Sequence, residues 1–167
     1  MTTAESCSTS WWKGRRGEGY VLLQVGLFVL IAAGPATAPG LPAFSPGPHW
    51  LSSGIAAVLM GLGALFVLAG ATGLGANLSP LPYPKDSGRL IESGIYGILR
   101  HPMYGGAVWV AAGWALWTHG LLTLAYAVLL FVFLDAKASQ EERWLCEKFP
   151  GYAAYRKRVR KLIPFVY

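Results

Sequence analysis

Apolar residues fill three stretches of the chain, and polar ones gather in the connections between them. From Val21 the apolar content continues to Ala38, long enough for a membrane span of roughly 18 residues. Leu51 to Leu74 carries no charged residue and predicts a second span. Ala57, Gly61, Gly63 and Gly70 along it are small enough to let another helix approach closely. Gly105 to Leu134 contains no Asp, Glu, Lys or Arg. As one helix it would be about 45 Å long, too long for a single ordinary crossing. Thr118-His119-Gly120 interrupts it near the middle. The pattern therefore predicts a hairpin of two short helices, Pro102 to Trp117 and Leu121 onward, each suited to tilting. Neither Pro nor Gly occurs between Leu121 and Phe149. The last helix thus leaves the apolar zone and carries Glu141 and Glu142 to an aqueous boundary, where Pro150-Gly151 ends it.

The connections differ in charge. Pro35 to Pro48 is rich in Pro and Gly, holds no Lys or Arg, and reads as an external loop, with Trp50 beside it as an interfacial anchor. Asn77 to Gly94 carries Lys85, Asp86, Arg89 and Glu92, and its prolines favour an extended path. With four spans, both termini lie on one side, and all fourteen Lys and Arg residues fall there. That side is then the cytoplasm of an inner or plasma membrane. The N-terminal segment 1–19 contributes Lys13, Arg15 and Arg16 to the count. Val21 to Ala33, with Ala36-Thr37-Ala38 after it, also has the outline of a cleavable leader; the apolar stretch that continues to Ala38 favours a span.

Composition agrees. The chain is 54% hydrophobic and 13% charged, against about 25% charged in an ordinary soluble domain. Its length permits one domain, 1–167. Cys7 and Cys146 read as two unpaired thiols. The net charge of +6 follows from sidedness and calls for no nucleic acid partner. The basic run Arg156 to Lys161 is either a face toward anionic membrane lipids or a plain solvated face. His119 is expected to be a simple turn residue.

Arg100-His101-Pro102-Met103-Tyr104 stands where the polar connection meets the apolar run. Pro102 suits the first turn of a helix, whose free N–H groups and dipole favour an anion. The longer string from Gly94 to Tyr104, Leu90-Ile91 before it, Glu141-Glu142 and Phe149-Pro150-Gly151-Tyr152 after it, and then Tyr155, Val159 and Pro164, carry a resemblance. Over residues 73–167 the chain resembles the isoprenylcysteine carboxyl methyltransferases and the phospholipid N-methyltransferase-like family. The resemblance implies an all-α polytopic membrane enzyme with about four transmembrane helices, a C-terminal helix hairpin and a cytoplasmic pocket. It implies S-adenosyl-L-methionine as cofactor and a lipophilic or lipidated acceptor bearing a carboxylate, thiol or amine; no metal is expected.

By the same resemblance the cofactor-binding core is 73–167, its pocket built from residues 88–104 and 137–158. Gly88, Arg89, Leu90 and Ile91 line the cofactor pocket, and Tyr96, His101, Pro102, Met103 and Tyr104 shape its wall. Glu141 pairs with the cofactor's amino group, supported by Glu142. Lys137 and Arg100 are the candidate catalytic residues, with Lys137 at the position tied to substrate. Plainer readings stand beside these. His101 can cap a helix, Tyr96 and Tyr104 can belong to an interfacial belt, and Arg100 can serve headgroups or a helix C-terminus. Glu141 can form a helix-surface pair with Lys137. Where the prenylcysteine enzymes carry an arginine, Lys137 keeps the charge but loses the bidentate fork. Two other classes compete. One is a sterol-reductase-like enzyme using NAD(P)H, which shares an Arg-His-Pro-x-Tyr element; the other is a non-enzymatic membrane module.

Overall fold

A computed structural model describes residues 17–41, 44, 47–79, 81, 83–84 and 87–167. Lys13, Arg15, Arg16, Lys85, Asp86 and Cys7 lie outside the described residues. Five α-helices follow in order: α1 (Glu18–Ala33), α2 (His49–Leu74), α3 (Pro102–Thr118), α4 (Leu121–Lys148) and α5 (Tyr152–Arg158). Short 3-10 turns occupy Gly75–Asn77 and Gly94–Gly97. Among the described residues the one β feature is an isolated parallel bridge between Leu99 and Arg160.

The α3–α4 hairpin forms as expected. His119 adopts a left-handed backbone (φ 50°) that ends α3, and Gly120 precedes α4. His119 does more than turn the chain. Its Nε2 lies 2.8 Å from Ser52 Oγ and its ring packs on His49, tying the hairpin tip to the start of α2. The first helix is shorter at its C-terminal end than the expected run to Ala38. Pro35 disfavours helical geometry at the residue before it, and Gly34 is accordingly extended.

Among the described residues, α2 and α4 are the helices both long and apolar enough to cross a membrane by length and composition. Outward faces carry large apolar side chains such as Leu22, Leu68 and Val132, each more than half exposed. A soluble bundle would bury such residues; a bilayer solvates them. The two uncharged connections meet at one end, where Leu122 N–H donates to Ala36 O at 3.0 Å. The charged connection, the start of α3 and α5 gather at the other.

Helices α2 and α3 approach closely along Ala56, Gly63 and Gly70, which repeat every seven residues. A Cβ on Gly63 would stand 2.6 Å from Gly106 O, and one on Gly70 would stand 2.6 Å from the Met103 side chain. The small residues Ala57 and Gly61 face outward instead, because they fall on the other side of the helix. Gly63→Leu should separate the two helices and cost about 2 kcal/mol or more. Thermal unfolding in nanodiscs unchanged by that substitution would contradict the packing described.

The basic tail is not one continuous lipid-facing run. Lys161 is buried, with its ammonium on the Asp135 carboxylate and on Ser139 Oγ at 2.7 Å. Arg156 pairs with Glu142 and Arg158 with Glu92. Lys157 and Arg160 remain on the exposed side. The tail is drawn inward because its backbone passes under the start of α3. There Arg160 O and Lys161 O accept the N–H groups of Arg100 and His101 at 2.8 and 3.1 Å.

Candidate functional site

Those two hydrogen bonds set the site. They hold Arg100 and His101 at the N-terminal end of α3, where Pro102 occupies the first turn and has no N–H to leave unpaired. Tyr104 follows His101 by three residues, so both rings fall on one face. Their centroids are 5.4 Å apart and their planes within 1° of parallel. The Tyr104 hydroxyl donates to Glu141 Oε2 at 3.0 Å, and His101 Nδ1 lies 3.8 Å from the same oxygen. A carboxylate accepts about four hydrogen bonds. Glu141, still 25% exposed at its side chain, therefore keeps acceptor capacity toward the cleft.

Glu142 points elsewhere. A helix turns about 100° per residue, and this carries its carboxylate behind the wall, where it is 3% exposed. It takes Arg100 Nε at 2.7 Å, Arg156 Nε at 3.2 Å and His101 Nε2 at 3.3 Å. Arg100 also donates to the carbonyls of Arg156, at 3.0 Å, and Val159, the unpaired carbonyl end of α5. Its fork is thus largely committed to protein partners. Arg100 borders the cleft while its donors reach the Glu142 carboxylate and the carbonyl end of α5.

Lys137 lies one turn before Glu141, buried, with Nζ donating to Gln24 Oε1 at 2.5 Å and standing 5.0 Å over the Tyr104 ring. The opposite wall is loop backbone. Asn77 brackets Arg89, with Nδ2 donating to Arg89 O at 3.0 Å and Oδ1 accepting Arg89 N–H at 3.3 Å, and so pins Gly88 to Ile91 along the cleft. Tyr96 hydroxyl donates to Gly70 O and Tyr155 hydroxyl to Tyr96 O, stapling the 3-10 turn between α2 and α5. Burial first, with the Glu141 charge adding to it at Tyr96, holds the Tyr96 and Tyr155 hydroxyls well above the usual tyrosine range. Both stay neutral donors.

The cleft so formed has a volume of about 210 Å³. Gly88, Arg89, Leu90, Ile91, Tyr96, Arg100, His101, Pro102, Met103, Tyr104, Lys137 and Glu141 all border it; Glu142 does not. Gln24, Asn77 and Tyr83 border it too and went unread in the sequence. Gln24 had a signal, as the lone polar side chain of residues 21–33. A second, apolar cavity of about 530 Å³ lies between α1, α2, α3 and α4, walled by Phe28, Met60, Val67 and Trp114. The two cavities share Gln24, Met103 and Tyr104.

A family model described as phospholipid methyltransferase matches residues 51–151. Protein-S-isoprenylcysteine O-methyltransferase B of Arabidopsis thaliana is 27% identical over 129 residues, 74% of this chain and 66% of that protein. A 3-oxo-5-alpha-steroid 4-dehydrogenase 1 of Macaca fascicularis is 31% identical over 91 residues, 54% of this chain and 34% of that protein. The chain thus spans less than two thirds of the length of these curated relatives. The solved structure of a eukaryotic intramembrane Ras methyltransferase, isoprenylcysteine carboxyl methyltransferase, superposes with a TM-score of 0.65 at 22% identity. It covers 97% of this chain and 58% of its own.

Proposed function

The chain belongs to the phospholipid methyltransferase family, and we propose that it transfers a methyl group from S-adenosyl-L-methionine to a lipophilic, prenylcysteine-like acceptor within a membrane. One observation carries this reading. A cleft open to water, with His101, Lys137 and Glu141 among its lining, meets an apolar cavity at Gln24, Met103 and Tyr104. A soluble cofactor and a lipid-borne acceptor need such a meeting point. The proposal includes four spans, α1 to α4, both termini on the cytoplasmic side, and one membrane domain with its cofactor core in 73–167.

The donor set fits the cofactor. Glu141 has spare acceptor capacity for an ammonium group, His101 and Tyr104 fix that carboxylate, and the Gly88 to Ile91 backbone offers peptide groups to polar edges. When bound, S-adenosyl-L-methionine supplies an electrophilic methyl group. The chain's task is then to align and desolvate the acceptor atom. Lys137 holds an acceptor anion at the inner end of the cleft. A carboxylate acceptor has no proton to lose, so this chemistry asks no general base of the protein.

Titration calorimetry of the nanodisc-held protein with S-adenosyl-L-methionine, its demethylated product and NADPH tests the class. Binding of the first two and not the third is expected. Binding of NADPH alone would move the protein to the reductase reading, which the stretch shared with the steroid dehydrogenase favours. Lys137→Ala should lower acceptor turnover about 10- to 100-fold, the scale of losing a charge-assisted hydrogen bond, while leaving cofactor affinity within about threefold. Steady-state kinetics beside the calorimetry would refute this placement if the two effects were reversed.

A further inference from the structure

Gln24 sits on the inward stripe of α1 with Leu27 and Ile31, the buried residues of that helix, while Leu22, Leu23, Val25 and Val29 face outward. Polarity on the inward stripe of an otherwise apolar helix is costly unless it is paired. Its partner is Lys137, whose ammonium donates to Gln24 Oε1 at 2.5 Å. That bond fixes the orientation of the carboxamide. With its oxygen turned to the ammonium, the amide N–H₂ group makes no hydrogen bond among the described residues, and Gln24 borders both cavities. The neck between cleft and cavity is therefore bordered by the Gln24 amide N–H₂ and the Tyr104 ring, with the buried Lys137 ammonium over that ring on the cleft side. Glu141 lies one turn beyond Lys137 and is bonded to Tyr104; neither Glu141 nor Lys137 is among the residues the two cavities share, and Lys137 is the one that reaches Gln24.

We infer that Gln24 is a specificity-determining residue: it anchors the Lys137 ammonium at the neck and, with its own N–H₂ group, selects an anionic acceptor head over a cationic amine on the same apolar tail. The inference rests on the methyltransferase reading above and adds to it the residue that reads acceptor charge. Hydrogen bonds from N–H donors are strongest to a charged acceptor, and like charges at a buried neck oppose entry of an ammonium head. Both effects act on the acceptor and not on the cofactor side of the cleft.

The test uses the full chain in nanodiscs with two probes sharing one tail, N-acetyl-S-farnesylcysteine as the acid and S-farnesylcysteamine as the amine. Gln24→Met keeps the shape and suits an apolar helix. It should raise KM for the acid about tenfold with kcat little changed, and leave the dissociation constant of S-adenosyl-L-methionine within about twofold. Gln24→Glu places a carboxylate on Lys137. It should abolish acid turnover by about 100-fold or more and narrow the preference for acid over amine. Unchanged KM in Gln24→Met together with unchanged acid preference in Gln24→Glu would overturn the inference. So would parallel loss of acceptor and cofactor binding, which marks a purely structural role. Wild-type protein that binds no S-adenosyl-L-methionine would instead overturn the methyltransferase reading, before Gln24 is at issue.

Discussion

Glu141→Ala is expected to weaken binding of S-adenosyl-L-methionine about 10- to 100-fold, the cost of losing a charge-assisted contact to an ammonium group. Glu141 is the acidic side chain on the cleft wall, with one hydroxyl donor from Tyr104 and room for another. The demethylated product keeps the same amino group, so its affinity should fall by the same factor. A larger loss for the sulfonium compound than for the product would place Glu141 against the sulfur instead. Wild-type affinity for both in the mutant would remove Glu141 from the cofactor site. Calorimetry in nanodiscs reads all three results.

Glu142→Ala should behave differently although it is the adjacent residue. Its carboxylate is buried against Arg100, His101 and Arg156. Removing it leaves the Arg100 guanidinium buried beside the α5 carbonyls without its anion, and breaking such a pair costs about 3 kcal/mol. Stability should therefore drop more than in Glu141→Ala, read as a lower unfolding temperature. The double variant Glu142→Ala/Arg100→Ala should lose less than the sum of the single losses, because the stranded charge is gone. Additive losses would mean that the two side chains are not energetically coupled, despite their 2.7 Å separation. These two predictions together separate a residue that meets the cofactor from one that holds the wall in place.

Much of the architecture was legible along the chain. The hairpin break at Thr118-His119-Gly120, the uninterrupted helix through Glu141 and Glu142, and its end near Pro150-Gly151 all follow from local rules. Proline and glycine limit helices, and uncharged stretches mark what can sit in lipid. The motif around His101 located the cleft because its residues lie close in sequence on one turn of α3. What the local rules missed were facts about facing. Small residues at 57 and 61 read as well as those at 63 and 70, yet only the latter, with the unread Ala56, line the α2–α3 contact. The basic tail read as one surface, yet Lys161 is buried on Asp135.

The sequence by itself determined the main helices, their order and the charge asymmetry between the two ends. These depend on hydrophobic run length, breakers and local spacing, which need no partner to act; the cleft residues that were read came through the family resemblance. Tertiary structure alone decided which of two adjacent glutamates faces the cleft, what Arg100 spends its donors on, and that Gln24 of α1 meets Lys137 of α4 across 113 residues of chain. Such contacts arise where separate helices are rotated against one another, and that rotation is set by the packing of all of them at once.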